Sequence, residues 1–273
     1  MTAPSPWTPD VLRGMQRRLG LNEVDFYPSI DSTNSLALDR VRDDALLTPT
    51  VVLAQEQLAG RGRSQNQWWS TSGSLTFSLV LEAPEASGIP VLPLVMGVAV
   101  GRAMRDLLGA GPDIELKWPN DVYGRDRKLA GLLVESVGGK KSVVIGCGLN
   151  VNQRMDEAPE EIRLRSISMY EMVGQTLHLP EVLESLLHRM LGAHREFLEN
   201  KMTWLDEFRA SCWLSGHVIQ VDQGAQAWVG RCLGIDEQGQ LILETEQGTR
   251  SLHTGTVRRL DEKEIVEDFQ RGP

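Results

Sequence analysis

The stretch Gly60-Arg61-Gly62-Arg63-Ser64-Gln65-Asn66-Gln67-Trp68-Trp69-Ser70 decides how the rest of the chain is read. Two arginines alternate with two glycines, and a polar run ends in paired tryptophans. Glycine lets the backbone approach a ligand closely and adopt positive φ without steric penalty. Arginine presents a planar fork of donors suited to phosphate or carboxylate. Tryptophan offers an apolar face to a flat ring. One reading is a mobile loop that closes over an anionic, partly aromatic ligand. The other is a solvated turn whose tryptophans plug the core. The segment alone leaves both open.

Upstream, Asp31-Ser32-Thr33-Asn34 precede Leu36, Ala37, Leu38 and Val41 at helical spacing. These are preferred N-cap residues, so capping accounts for one of them. The surplus hydroxyl and amide groups at a helix N-terminus suit a small polar ligand. Downstream, Lys117-Trp118-Pro119-Asn120-Asp121 is followed by Arg127-Lys128-Leu129-Ala130-Gly131. Lys128 heads an otherwise apolar strand, where it meets a buried anion; the alternative is a solvated strand-edge lysine. Asn120 and Asp121, directly after a proline, are oxygen donors on a rigid turn. No Gly-x-Ser-x-Gly, Ser-His-Asp set or Walker loop occurs, so any nucleotide is held without the common phosphate loops.

The 273 residues are 41% apolar, enough for a sizeable core. Lys and Arg total 28 against 37 Asp and Glu, a net charge of −9. That balance opposes nucleic-acid binding through a broad basic surface. Cys147, Cys212 and Cys232 are scattered without metal-ligand spacing and read as reduced thiols. His178, His188 and His194 have no acidic or thiol partners at matching spacing and read as structural or exposed. No signal peptide is visible, and no apolar run nears the roughly 20 residues of a membrane span. The expected location is cytoplasmic.

Residues 1–9 read as disordered and Asp10 to Leu19 as a helix. Only about two dozen residues precede the first strand, at Val24, which leaves no room for a winged-helix DNA-binding module. Thr50 to Ala54 and Ser74 to Glu82 read as strands, and Leu92 to Leu108 as a helix. Short segments from Asp113 to Val151 read as strands joined by tight turns, hence an antiparallel or mixed sheet. Glycines in Gly146-Cys147-Gly148 mark a strand whose backbone something approaches. Residues 153–176 read as irregular, and Pro180 to Phe208 as helical. After Leu214, four strand candidates (217–221, 226–235, 240–244 and 249–253) predict a small β-barrel of about 50 residues. An acidic, helical tail over Asp261 to Gln270 closes the chain.

Five runs in register resemble the biotin–protein ligase family: Ser32-Thr33-Asn34; Gln57 with Ala59-Gly60-Arg61-Gly62-Arg63 and Trp68; Lys117-Trp118-Pro119-Asn120-Asp121; Arg127-Lys128-Leu129-Ala130-Gly131; and Gly148-Leu149-Asn150-Val151-Asn152. The resemblance implies an α+β fold of the class II aminoacyl-tRNA synthetase/biotin ligase type, a mixed sheet flanked by helices, with an SH3-like C-terminal barrel. It implies an extension over 1–23, a catalytic domain over 24–213, the SH3-like domain over 214–262 and a tail over 263–273. It further implies the class without an N-terminal DNA-binding domain, and so no repressor function.

By the same resemblance, Ser32, Thr33, Asn34 and Gln57 hold the biotin ureido ring, with Trp118 beside the apolar pocket. Arg61, Gly62 and Arg63 lie on the loop over biotin and adenylate, and Trp68 stacks on adenine. Lys128 contacts the biotin carboxylate and the α-phosphate, while Lys117, Asn120 and Asn150 sit near ATP. Lys128, Asp121 and Arg63 are the expected catalytic residues, and magnesium arrives mainly on the ATP phosphates. The expected acceptor is the biotin carboxyl carrier protein of acetyl-CoA carboxylase, with a homodimer allowed and no DNA or membrane partner. Gln65 and Asn66 depart from the family loop, replacing its second Gly-Arg pair. Lipoate–protein ligase or octanoyl transferase is the neighbouring alternative, and a non-catalytic biotin sensor or a DNA-binding regulator the alternative from another class.

Overall fold

The computed structural model describes residues 5–109 and 113–261. In chain order the larger part contains α1 (Pro9–Leu19), β1 (Glu23–Tyr27), α2 (Thr33–Arg42), β2 (Thr50–Ala54), β3 (Ser74–Glu82), α3 (Leu92–Leu108), β4 (Ile114–Lys117), β5 (Asp121–Gly124), β6 (Arg127–Ser136) and β7 (Ser142–Asn150). Then come α4 (Glu160–Arg165), α5 (Met169–Val173), α6 (Leu179–Leu198) and α7 (Thr203–Ala210). The seven strands form one sheet in the order β1-β2-β3-β7-β6-β5-β4. β1 and β2 are parallel across the α2 crossover, and every other neighbouring pair is antiparallel. This is the mixed, helix-flanked sheet that the family resemblance implies; the short strands and tight turns predict an antiparallel or mixed sheet.

Period-two alternation sorts the faces of the central strands. Leu75, Phe77, Leu79 and Leu81 of β3, with Val143, Ile145, Cys147 and Leu149 of β7, point into the main core with α3 and α6. The opposite face offers Val52, Val80 and Val144 to Ala37, Leu38 and Val41 of α2 in a smaller core. On that second face the small residues Thr76, Ser78, Gly146 and Gly148 interrupt the apolar pattern. The sheet is therefore fully covered on one side and left with a polar, shallow floor on the other.

Some expectations need correction. Trp7 is 5% exposed and packs its ring 6.2 Å from Phe26, so disorder over 1–9 fails there; residues 1–4 lie outside the described residues. The segment 153–176 is not irregular throughout, because α4 and α5 lie within it, α5 being started by a reciprocal Ser168/Glu171 capping box. The helix from Pro180 to Phe208 is two helices. The polar run Glu199-Asn200-Lys201-Met202 breaks it, with Asn200 at φ 58°. The C-terminal sheet has five antiparallel strands rather than four: β8 (Val218–Gln223), β9 (Gln226–Ile235), β10 (Leu241–Thr245), β11 (Gly248–Leu252) and β12 (Thr256–Arg259), ordered β11-β10-β9-β8-β12. Strand β12 escaped notice because Thr-Val-Arg-Arg carries one apolar residue. The acidic tail beyond Asp261 lies outside the described residues. No helix among the described residues is long and apolar enough to cross a membrane.

Candidate active site

Strand register lines up two rows of residues on the face that α2 partly covers. One row runs Asp121, Gly131, Gly148, Thr76 and Ala54 across β5, β6, β7, β3 and β2. The adjacent row runs Leu133, Gly146, Ser78 and Val52. Each glycine leaves a bare patch of floor that another side chain occupies. A Cβ on Gly146 would lie 2.4 Å from Asn34 Oδ1, one on Gly148 2.3 Å from Trp68 Cε2, and one on Gly131 3.0 Å from Lys128 Nζ.

The Gly146 row is served by the start of α2. Ser32 is the N-cap: its Oγ accepts from the Ser35 amide at 3.4 Å. Capping thus explains Ser32 but not its neighbours. Thr33 donates its backbone N–H to Gln57 Oε1 at 2.8 Å, and its Oγ1 lies 3.0 Å from the same oxygen. Asn34 is 3% exposed, and its amide has three protein partners. Its Oδ1 accepts from Ser78 Oγ at 2.6 Å, and its Nδ2 donates to Glu135 Oε2 at 2.8 Å and to the Leu133 carbonyl at 3.4 Å. The carboxylate only accepts, so the amide orientation is fixed.

The Gly148 row lies under the Gly60–Ser70 loop. That loop is a narrow hairpin: Trp68 N–H donates to Gly60 O at 2.9 Å and Gly62 N–H to Asn66 O at 2.7 Å. A Cβ on Gly60 would come 2.5 Å from Trp68 O, which is why the first glycine is needed. The tip turns through Arg63–Gln65, with Ser64 at φ 51°. Trp68 lies across Gly148, and its Nε1 is buried without a hydrogen-bond partner. The two loop arginines part company. Arg61 forms a two-pronged ion pair with Glu135, at 2.8 Å to Oε1 and 3.0 Å to Oε2. Arg63 has neutral partners, Asn120 Oδ1 at 3.3 Å and Thr254 Oγ1 at 3.1 Å.

At the Asp121–Gly131 end of the Gly148 row stands Lys128, its Nζ 2.7 Å from Asp121 Oδ1 and 5.8 Å from the Trp68 ring centre. The contact with Asp121 is an ion pair rather than an aligned hydrogen bond. Lys117 Nζ donates to Tyr123 Oη at 2.9 Å. Burial holds the Lys117 ammonium below its ordinary value although Asp121 pulls the other way, and burial likewise lowers Arg63. In this acidic chain, the cleft gathers Lys117, Lys128 and Arg63 around the single carboxylate Asp121. Such a site attracts an anion.

Ser32, Thr33, Asn34, Gln57, Arg61, Gly62, Arg63, Trp68, Lys117, Trp118, Asn120, Asp121 and Lys128 all line one open cleft. Asn150 does not line it. Its Nδ2 donates to the carbonyls of Ile167 at 3.2 Å and Lys128 at 3.4 Å, and its Oδ1 accepts from Gln153 at 3.3 Å. Asn150 therefore braces the strand that carries Lys128. Trp118 is 2% exposed and donates Nε1–H to Gly239 O at 3.0 Å, so the cleft wall is fastened to the C-terminal sheet. Gly255, Thr256 and Val257 of that sheet also reach the cleft.

Sequence reasoning missed Ser78, Glu135 and these C-terminal residues. Ser78 left a trace: Ser74, Thr76 and Ser78 put hydroxyls at alternate positions of an otherwise apolar strand. Glu135, near a strand end, reads as solvated, and its role shows only once Asn34 and Arg61 converge on it.

As for a resident metal, the one carboxylate lining this cleft, Asp121, already faces Lys128, and Glu135 beside it faces Arg61. Among the described residues no group of three or more His, Cys, Asp or Glu is arranged to hold an ion. The donor set does not fit a protein-held metal.

Fold and cleft together place the chain in a recognised class of α+β proteins. Residues 26–152 match the biotin/lipoate A/B protein ligase family, and residues 215–258 match the biotin protein ligase C terminal domain. The biotin–[acetyl-CoA-carboxylase] ligase of Paracoccus denitrificans is 30% identical over 83% of this chain and 96% of its own. The bifunctional ligase/repressor BirA of Escherichia coli is 34% identical over 82% of this chain and 70% of its own. The biotin protein ligase of Aquifex aeolicus in complex with biotin and ATP superposes with a TM-score of 0.77 at 29% identity, covering 88% of this chain and 100% of that one. The chain belongs to the biotin protein ligase family.

Proposed function

We propose that this protein activates biotin with ATP as biotinoyl-5′-adenylate and transfers the biotinoyl group to a lysine of a biotin carboxyl carrier protein. The observation that carries the reading is the pair of adjacent rows in one cleft, with Lys128 beside Asp121 and Gly131 in the row that Trp68 covers. The row served by Thr33, Asn34 and Gln57 suits a ring with amide-like donors and acceptors, and the row under Trp68 suits a base. The Aquifex aeolicus relative is described with biotin and ATP together, the two substrates named here.

In the first step a biotin carboxylate oxygen attacks the α-phosphorus, and the bond to the leaving pyrophosphate breaks. Both reactants are anions, so the step needs fixed cations and alignment rather than an enzyme nucleophile. Lys128 and Arg63 supply them: Arg63 spends no charge on a carboxylate partner of its own, and Lys128 needs only to leave Asp121. In the second step the acceptor lysine amine attacks the acyl carbon, the bond to AMP breaks, and the amine proton passes to Asp121, by then released from Lys128. The hairpin of residues 60–68 keeps water from the mixed anhydride. Magnesium enters on the nucleotide phosphates as part of the substrate, and no step is assigned to a protein-held ion.

The test is radiolabelled-biotin transfer to a carrier domain, run beside pyrophosphate release with biotin and with lipoate. Release and transfer with biotin are expected. Release triggered by lipoate alone, or by neither acid, refutes the reading.

A further inference from the structure

We propose that Glu135 is a positioning residue that fixes the arginine loop over the cleft by tying it to Asn34. Its carboxylate receives Arg61 through two hydrogen bonds, at 2.8 and 3.0 Å, and the oxygen at 3.0 Å also accepts from Asn34 Nδ2 at 2.8 Å. One side chain on β6 thus joins the hairpin to the helix that reads the Gly146 row. The pair is partly exposed, with the Arg61 side chain at 40% and the Glu135 side chain at 25%, but the second partner of Glu135, Asn34, is nearly inaccessible.

The arrangement divides the labour of Gly60-Arg61-Gly62-Arg63. Arg61 spends its charge on Glu135 and serves to hold the loop, so the ligand meets its backbone rather than its guanidinium. Arg63, two residues on, keeps its charge for an anion. Planar two-point pairing gives geometric register as well as energy, which is what a loop-holding contact requires. Glutamine is the diagnostic substitution. Glu135→Gln keeps the shape and one acceptor oxygen for Asn34, but sets an amide donor against the Arg61 donors.

The kinetic part of the test rests on the biotin-ligase reading, and the proteolysis part does not. Limited trypsin digestion of the full chain without ligand reports loop opening at Arg61 and Arg63. Glu135→Gln is expected to raise that cleavage rate and the KM for biotin about ten-fold each, the scale of a partly exposed charge-assisted pair, with kcat for pyrophosphate release nearly unchanged. Arg61→Gln, on the loop and harmless to the core, is expected to raise cleavage at Arg63 to the same extent. The double variant should match either single one. Unchanged cleavage in both single variants, or effects that add in the double variant, overturns the proposal; so does a fall in kcat equal to the rise in KM. A wild-type protein inert towards biotin would refute the ligase reading, while the cleavage rates would still decide the role of Glu135.

Discussion

Two glycines, two residues apart on the same face of β7, make the sharpest comparison. In Gly148→Ala the new methyl would lie 2.3 Å from Trp68 Cε2, 2.6 Å from Cζ2 and 2.7 Å from Cδ2. Carbon atoms rest at roughly 3.5–4.0 Å, so the ring must retreat by ~1.2 Å or more. Trp68 sits on a hairpin and not in the core, so the loop can give way while the sheet stays put. Losing a base-stacking platform is worth about 1–3 kcal/mol, so the KM for ATP should rise roughly 5- to 150-fold. In Gly146→Ala the methyl would lie 2.4 Å from Asn34 Oδ1 and 2.9 Å from its Cγ. That amide is buried and bonded to Ser78, Glu135 and Leu133, so its displacement strands polar groups at about 1–3 kcal/mol each. At roughly 2–4 °C per kcal/mol, Gly146→Ala should lower the melting temperature by about 5–10 °C and weaken biotin, while Gly148→Ala shifts melting by less than about 3 °C. Pyrophosphate release titrated in each substrate, with thermal melting alongside, reads both effects. If the two variants raise KM for the same substrate, or destabilise equally, the two-row account is wrong.

Lys128→Ala should cut pyrophosphate release by about 10²–10³-fold, the loss typical of one electrostatic donor, in a protein that still melts cooperatively; near-normal release would remove Lys128 from the first step. Trp118→Phe deletes the 3.0 Å bond to Gly239 O from a buried site, so melting should fall by roughly 2–6 °C, and an unchanged melting temperature would deny that this bond couples the two sheets. Burial holds His194 below its ordinary value, outweighing the Glu82 carbonyl 2.9 Å from its Nε2. The unfolded chain therefore takes its proton first, and stability is complete above about pH 6.5 and falls as pH drops through that value. His194→Gln should flatten part of the melting-temperature loss between ~pH 7.5 and ~pH 5.5, His217 keeping its own share because it too is lowered by burial. A slope identical to wild type would contradict the assignment.

The strands and the long helices were legible because their signals are local. Alternation in Ser74–Glu82 and helical spacing in Leu92–Leu108 give both elements to the residue. The break at Asn200 was hidden because apolar spacing resumes in phase on the far side, at Leu205 and Phe208. In the site, the cations and the cap-type residues stood out as residue types, but their partners did not. Glu135 lies 74 residues from Arg61 and 101 from Asn34, and Thr254 lies 191 from Arg63. No local pattern encodes such pairings, because register across the sheet decides which side chains meet. Asn150 shows the converse: a polar residue in a glycine-rich strand looks like a ligand contact, yet its amide is used to brace backbone.

The boundary expected at 213/214 does not part the cleft, which takes residues from both sheets. Trp118 belongs to the first sheet by sequence, but its only polar atom on the indole bonds Gly239 of the second. Arg63 reaches the second sheet through Thr254. The cation that faces the anion is therefore positioned from two sides, by Asn120 of the first part and by Thr254 of the second. Burial disfavours the charge on Arg63 by more than the Asp121 carboxylate favours it, and its two hydrogen-bond acceptors are neutral. A bound anion offsets far more. The cleft keeps a guanidinium desolvated, with one carboxylate, Asp121, shared among three cations, at the point where two anionic substrates would meet, and that excess of positive charge is the physical basis for reading this surface as an activation site.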